Sequence, residues 1–330
     1  MKLAITLDYE IFLNDHVGTV ENSLIKPMTR IMQICKKHNI CLTAFVDSAY
    51  LYMLNKLRGT YPKLQKDYDL VCQNVRDMIA NGHDIQLHIH PQWYFCTYDG
   101  EDWTMDWDHY KLSDMPEQEA FRLFKESKEL LENIAGYKLT AYRAGGYSIQ
   151  EFNYNMCFQD NGIIVDSSVL TGCHLLTETH YYDYRNYPKS PYRFDALDKP
   201  TQNGTLLEVP ISTKRYNFFK YMILKKLRQR NGTPKFGDGG DNAERLKSDR
   251  MDKIKQLLGR PMHVSACFDW YTFRFAEEVV EDYRKYGYAT IISHPKNVSP
   301  TSLEYMDLFI GRHLQRGDQF VTITELSKQF

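Results

Sequence analysis

Eight short apolar runs recur along this chain, at 2–7, 40–46, 84–89, 138–142, 163–165, 206–209, 263–267 and 288–293. Strands that are apolar on both faces must be covered on both faces, which parallel sheets flanked by helices achieve. Helical spacing appears between the runs: Leu24, Met28, Ile31, Met32 and Cys35 form one stripe, and Ala120, Leu123, Phe124, Ser127, Leu131 and Ile134 another. This alternation predicts an α/β fold, a distorted parallel (β/α)7-8 barrel of the TIM-like kind, in preference to an open sheet. One such domain is expected to span 1–330, with a loop insertion near 93–112 and a basic insertion near 213–245.

Polar residues punctuate the runs at one end. Asp8, Asp47, His88, His90, Arg143, Asp166 and His294 all fall at or just past the C-terminal end of their strands, the face on which parallel barrels build active sites. Some residues in such a set serve only as strand-end caps. The stretch from Gly82 to Trp93 is the most specific: His88 and His90 lie two apart on one strand, so both rings point to the same side, and Pro91 ends the pairing. Two imidazoles aimed at one point suit a metal ion, since neutral histidine is the commonest protein ligand.

Composition excludes several classes of function. With 41 Lys+Arg against 42 Asp+Glu the formal net charge is -1, so no global field recruits nucleic acid. Seven cysteines without a C-x-x-C spacing make neither a disulfide framework nor a zinc ribbon, and they fit a reducing compartment. The first residues enter a strand pattern directly, so no signal peptide is expected, and no apolar run approaches the roughly 20 residues of a spanning helix. A cytoplasmic location is expected, peripheral to the inner membrane face if the basic segment 214–230 contacts anionic lipid. That segment combines Phe219, Met222, Ile223 and Leu227 with seven Lys and Arg residues. A solvated surface insertion is the alternative reading. The glycines of 235–241 lack the spacing and terminal Lys-Ser/Thr of a phosphate-binding loop.

Five ordered motifs carry a resemblance. They are Thr6-Leu7-Asp8-Tyr9-Glu10, Gly82-His83-Asp84-Ile85 leading to His88-Ile89-His90-Pro91, Tyr142-Arg143-Ala144-Gly145-Gly146-Tyr147-Ser148, Val165-Asp166-Ser167-Ser168, and Ile291-Ile292-Ser293-His294-Pro295. In this order they resemble the polysaccharide deacetylase (NodB-homology) family, carbohydrate esterase family 4. The resemblance implies a distorted (β/α)7 barrel, a divalent metal, usually zinc (Zn2+), and hydrolysis of acetyl groups on sugars. It implies that Asp8 is the catalytic base, Arg143 the residue that holds it, His88 a metal ligand, His294 the general acid, and Asp166 the carboxylate that polarises His294.

The chain departs from the family pattern twice, both times at the metal. Tyr9 stands where a second aspartate is usual, and Gln92 where the second metal histidine is expected. Glu10 and His90 can compensate, each lying two residues from its neighbour on the same strand face. Two assignments stay open: metal on Glu10, His88 and His90 with Asp8 as base, or metal on Asp8 with Glu10 as base. The expected activity is a metal-dependent hydrolase that removes an acetyl group from an acetylated sugar in surface-polysaccharide metabolism. A hydrolase of another C–N bond, amidohydrolase-like, and a non-catalytic glycan-binding protein without metal are the alternatives. The aromatic loop of Trp93, Tyr94, Phe95, Tyr98, Trp103 and Trp107 reads equally as a sugar-stacking platform or as a lid packed on itself.

Overall fold

The computed structural model describes residues 1–149, 155–176, 181–217, 219, 221–222, 233–240, 262–270 and 272–330. Among these, eight strands pair in parallel: β1 (Lys2–Tyr9), β2 (Thr43–Asp47), β3 (Asp84–Ile89), β4 (Ala141–Ala144), β5 (Val165–Asp166), β6 (Leu206–Glu208), β9 (Tyr288–Ser293) and the short Gln319–Phe320, which pairs with the start of β1. The order across the sheet is β6-β5-β4-β3-β2-β1-β9, with two short antiparallel strands, Tyr192–Ala196 and Lys199–Pro200, outside β6. The two margins meet. Past β6 the chain reaches β9 through Ser212, whose N–H donates to Thr290 O at 3.1 Å, and Ala266 ties both sides by accepting from Ile292 N and donating to Ser212 O. The curled sheet is thereby closed by single backbone bonds where a full ladder is lacking.

All eight apolar runs contain strands, but one is not a stave of the barrel. The run expected at 263–267 forms β8 (Met262–Ser265), which pairs antiparallel with β7 (Thr213–Tyr216) in a separate ribbon. Residues 214–216, the start of the basic segment 214–230, are strand; most of 217–230 lies outside the described residues. No described helix is long and apolar enough to cross a membrane.

Side-chain alternation sorts the core into two parts. On β1, Leu3, Ile5, Leu7 and Tyr9 pack outward with α1 (Lys26–His38), α3 (Pro62–Ala80) and α6 (Pro300–Gln315), whose Met28, Ile31, Val71, Val75, Met306 and Phe309 share the larger cluster. Facing inward, Ala4 joins Phe45, Ala141, Val165, Leu207, Val209 and Tyr288, plugged by Ile323 and Leu326 of the last helical turn. That inner column of β1 runs Ala4, Thr6, Asp8, Glu10. It changes from apolar to ionisable within one strand, because the C-terminal end of the barrel carries no apolar plug.

The same alternation places Asp166 and Glu208 on the outer face, side by side in the β5–β6 ladder and hydrogen-bonded to each other. Both are fully buried, and burial raises both, Glu208 well above the usual carboxyl range. Asp166 Oδ2 and Glu208 Oε2 have no other donor, which fits two carboxyls sharing a proton. The folded chain keeps a proton that the unfolded chain has released above about pH 4. This contribution to stability is therefore present at low pH and is lost as pH rises from there toward the raised pKa of the pair. Wild-type protein should lose unfolding free energy between about pH 5 and about pH 8, and Glu208→Gln should lose less. Denaturant titrations across that range with equal slopes for the two proteins would contradict the shared proton.

Candidate active site

At the C-terminal mouth of the barrel, β1 and β3 bring four ionisable side chains to one point. Glu10 Oε2 lies 3.1 Å from His88 Nε2 and 2.5 Å from His90 Nε2, and these atoms form a group able to hold a metal ion. Asp8 turns to the other side, where Arg143 holds its Oδ1 at 2.7 Å. Tyr9, between them, faces away and donates its hydroxyl to Asn74 Oδ1 at 2.9 Å. It therefore cannot replace the usual second aspartate, whereas Glu10 can.

The protonation pattern of His88 makes a cation necessary. Its Nδ1 is 2.7 Å from the Arg143 carbonyl, which can only accept, so Nδ1 carries a hydrogen. A neutral ring then aims the lone pair of Nε2 at the carboxylate of Glu10, which is repulsive. Either a second proton or a metal ion must lie between them. Burial would lower the His88 pKa, yet Asp8 and Glu10 raise it to about 9. Burial would likewise raise Glu10, but Lys296, His90 and His88 hold it well below the usual carboxyl value. The site is thus built to keep positive charge against Glu10, and its donor set of two imidazoles and one carboxylate fits a divalent ion.

Positioning is supplied from below. Asp47, at the end of β2, accepts from His90 N at 3.3 Å and from Trp93 Nε1 at 2.9 Å while capping α2 (Ser48–Leu57). Gln92, where the family resemblance expects a histidine, is fully buried, and neither of its amide atoms has a hydrogen-bond partner.

His294 follows β9 and is half-buried. Its Nδ1 is 2.7 Å from Asp269 Oδ2, and its backbone N–H donates to Asp269 Oδ1 at 2.9 Å. This corrects the expectation for Asp166. On a two-residue period Asp166 points out of the barrel, where Ser168 donates to it at 2.6 Å, while Ser167, its inward neighbour, bonds Arg143. Asp269 closes a loop after β8, and its place at that strand's end was its sequence signal. Burial would lower the His294 pKa; Asp269 outweighs it, with Asp8 and Glu10 behind, and the value is raised. His294 Nε2 looks across to Asp8 Oδ2 at 3.7 Å and Glu10 Oε1 at 3.8 Å.

Residues 20–153 match the family model described as polysaccharide deacetylase. The chain carries a polysaccharide deacetylase family segment. The deacetylase match takes in His88, His90 and Arg143 and stops short of Asp8 and Glu10 at one end and of Asp269 and His294 at the other. No curated protein matches the sequence. Among solved structures, the Puue allantoinase is similar with a TM-score of 0.50 at 13% identity, over 99% of this chain and 89% of that one. A 4-alpha-glucanotransferase from Thermococcus litoralis has a TM-score of 0.50 at 12% identity, over 100% of this chain and 40% of that one. A putative polysaccharide deacetylase from Mycobacterium smegmatis has a TM-score of 0.48 at 14% identity, over 99% and 90%. At these identities the first two speak to the fold alone.

Within the deacetylase segment, the aromatic loop packs inward. Trp93, Tyr98 and Trp103 are buried, with Trp93 4.7 Å from the Tyr50 ring and 5.2 Å from Trp103. An aromatic surface is presented instead by Trp270, which the sequence reading missed. It is exposed, has a φ of 32°, unusual for a bulky residue, and with Pro234, Lys235, Asp269, Thr272 and Asn297 lines a cavity of about 410 Å³. Tyr147 is held at a φ of 62° near Asp8 and Glu10.

Gly145 is required by His90. A Cβ there would lie 2.5 Å from Ile89 O and 2.7 Å from His90 Nδ1. Gly145→Ala should push the His90 ring aside and weaken divalent-ion binding on the order of 10–100-fold, as disturbing a ligand's support does. Calorimetric titration of the folded variant checks this, and wild-type affinity would show that the ring has room to spare.

Proposed function

We propose that the protein is a metal-dependent hydrolase that removes an acetyl group from an acetylated sugar. The observation that carries this reading is the convergence of Glu10, His88 and His90 between two separate proton-handling pairs, Asp8 with Arg143 and His294 with Asp269. The deacetylase family segment supports the substrate class. Glu10, His88 and His90 would hold the ion, and zinc suits two imidazoles and a carboxylate. Such an ion supplies Lewis acidity toward an acetyl carbonyl and toward water.

The remaining steps belong to the chain's own residues. Asp8, oriented through Oδ1 by Arg143, leaves Oδ2, which faces His294, to accept the proton of the attacking water. His294 faces it with Nε2, the atom that gives a proton to the departing amine or alkoxide. Asp269 fixes the tautomer by holding Nδ1–H and favours the imidazolium. Base and acid thus face each other, Asp8 Oδ2 and His294 Nε2 at 3.7 Å, beside the Glu10–His88–His90 group.

Two experiments test the assignment. Purified protein should bind about one equivalent of zinc, lost in His88→Ala and Glu10→Gln. Asp8→Asn should keep the metal while turnover on an acetylated sugar falls by about 10²–10⁴. Full occupancy in His88→Ala, or loss of metal in Asp8→Asn, would reject this arrangement. The second is a pH–rate profile. An acid must be protonated, so activity falls as pH rises through the His294 pKa. Asp269→Asn removes the carboxylate that raises that pKa and should move the alkaline limb to lower pH. Asp166→Asn should leave the limb in place, and movement in Asp166→Asn alone would reverse the two roles.

A further inference from the structure

Each carboxylate at the barrel mouth already faces a permanent cation of the protein. Asp8 has Arg143, and Glu10 has Lys296, whose Nζ lies 2.7 Å from Glu10 Oε1 and 2.9 Å from Ile11 O. Lys296 is buried, and its ammonium stands 5.2 Å from the Phe12 ring. It is not a surface lysine that has folded inward: it sits in the helical turn Pro295–Asn297, two residues after His294, and its carbonyl accepts from Gly237 N. Glu10 is therefore shared, with Oε1 held by the ammonium and Oε2 facing His88 and His90.

An ammonium has three donors and no lone pair, so it cannot ligate an ion, and a like charge on the same buried carboxylate repels one. With Asp8 neutralised by Arg143 and Glu10 by Lys296, a divalent ion enters a centre whose one ligand carboxylate is already paired. We propose that Lys296 is a built-in competitor for the divalent cation of the Glu10–His88–His90 centre and sets its affinity below what the three ligands alone would give. The proposal rests on the reading that these three residues hold the ion. Lys296 acts through Glu10, as a positioning and charge-setting residue, and touches neither ligand nitrogen.

The test is competition titration of Zn2+ against a chromophoric chelator, with the full chain stripped of metal. Lys296→Met removes the charge at similar length, and should bind Zn2+ at least about tenfold tighter at unchanged stoichiometry, consistent with loss of one like charge in a poorly screened site. Lys296→Arg keeps the charge and should stay near wild type. Lys296→Gln, which retains a donor for Ile11 O, carries the same expectation as Lys296→Met should the latter fail to fold, judged by circular dichroism. Equal or weaker binding in the neutral variants, with His88→Ala abolishing binding, would overturn the competitor role while leaving the centre intact. Zn2+ binding that survives His88→Ala would overturn the centre and the proposal together.

Discussion

The Arg143 guanidinium is the interaction on which the arrangement of the barrel mouth depends. Fully buried, it spends its donors on Thr6 Oγ1 and Asp8 Oδ1 of β1 and on the carbonyl and hydroxyl of Ser167 beyond β5, and it lies 4.2 Å from the Phe45 ring of β2. Its own carbonyl takes the Nδ1 proton of His88 on β3. One residue thus ties five neighbouring strands and fixes both a base and a histidine tautomer. Such a charge is tolerated inside because each of its three nitrogens has a partner; leaving one partner of a buried pair alone costs about 3–5 kcal/mol.

Much of this was legible in the sequence, for a definite reason. Residues that work as i, i+2 pairs on a strand declare their common face: His88 with His90 and Asp8 with Glu10 required only the period of two. Asp166 shows the limit. That a carboxylate sits at a strand end can be read from sequence, but β5 is two residues long, its inward residue is Val165, and the next inward position is Ser167 just past its end. A slip of one residue moves a side chain through the sheet. Asp269 arrives from a strand that is not a stave of the barrel, so its nearness to His294 is a tertiary fact. Lys296 belongs to a turn whose direction only the packing of Phe12 and residues 237–239 decides.

The aromatic loop makes the same point in reverse. Six aromatic residues in a short stretch left a sugar-stacking platform and a lid packed on itself equally open, and Trp93 has its indole N–H taken by Asp47, the carboxylate that also holds the His90 backbone. An indole that pays its hydrogen bond to a buried acid is part of the support beneath a ligand. Composition reports that aromatics are present; their polar atoms decide where they go.

Asp8 lies in β1 and Glu10 one residue past its end, on the same side and two residues apart, roughly 6.6–7 Å along an extended backbone. That strand is paired with β9 over Lys2 to Leu7 and with β2 over Thr6 to Tyr9, and it is buried almost throughout. The spacing between the proton acceptor and the carboxylate of the cation centre is therefore a property of extended peptide geometry, a ruler cut into the backbone. Breathing of helices or loops can widen the mouth or tilt the strand, but the two carboxylates travel together. A substrate that reaches one of them in register has the other at a distance already set.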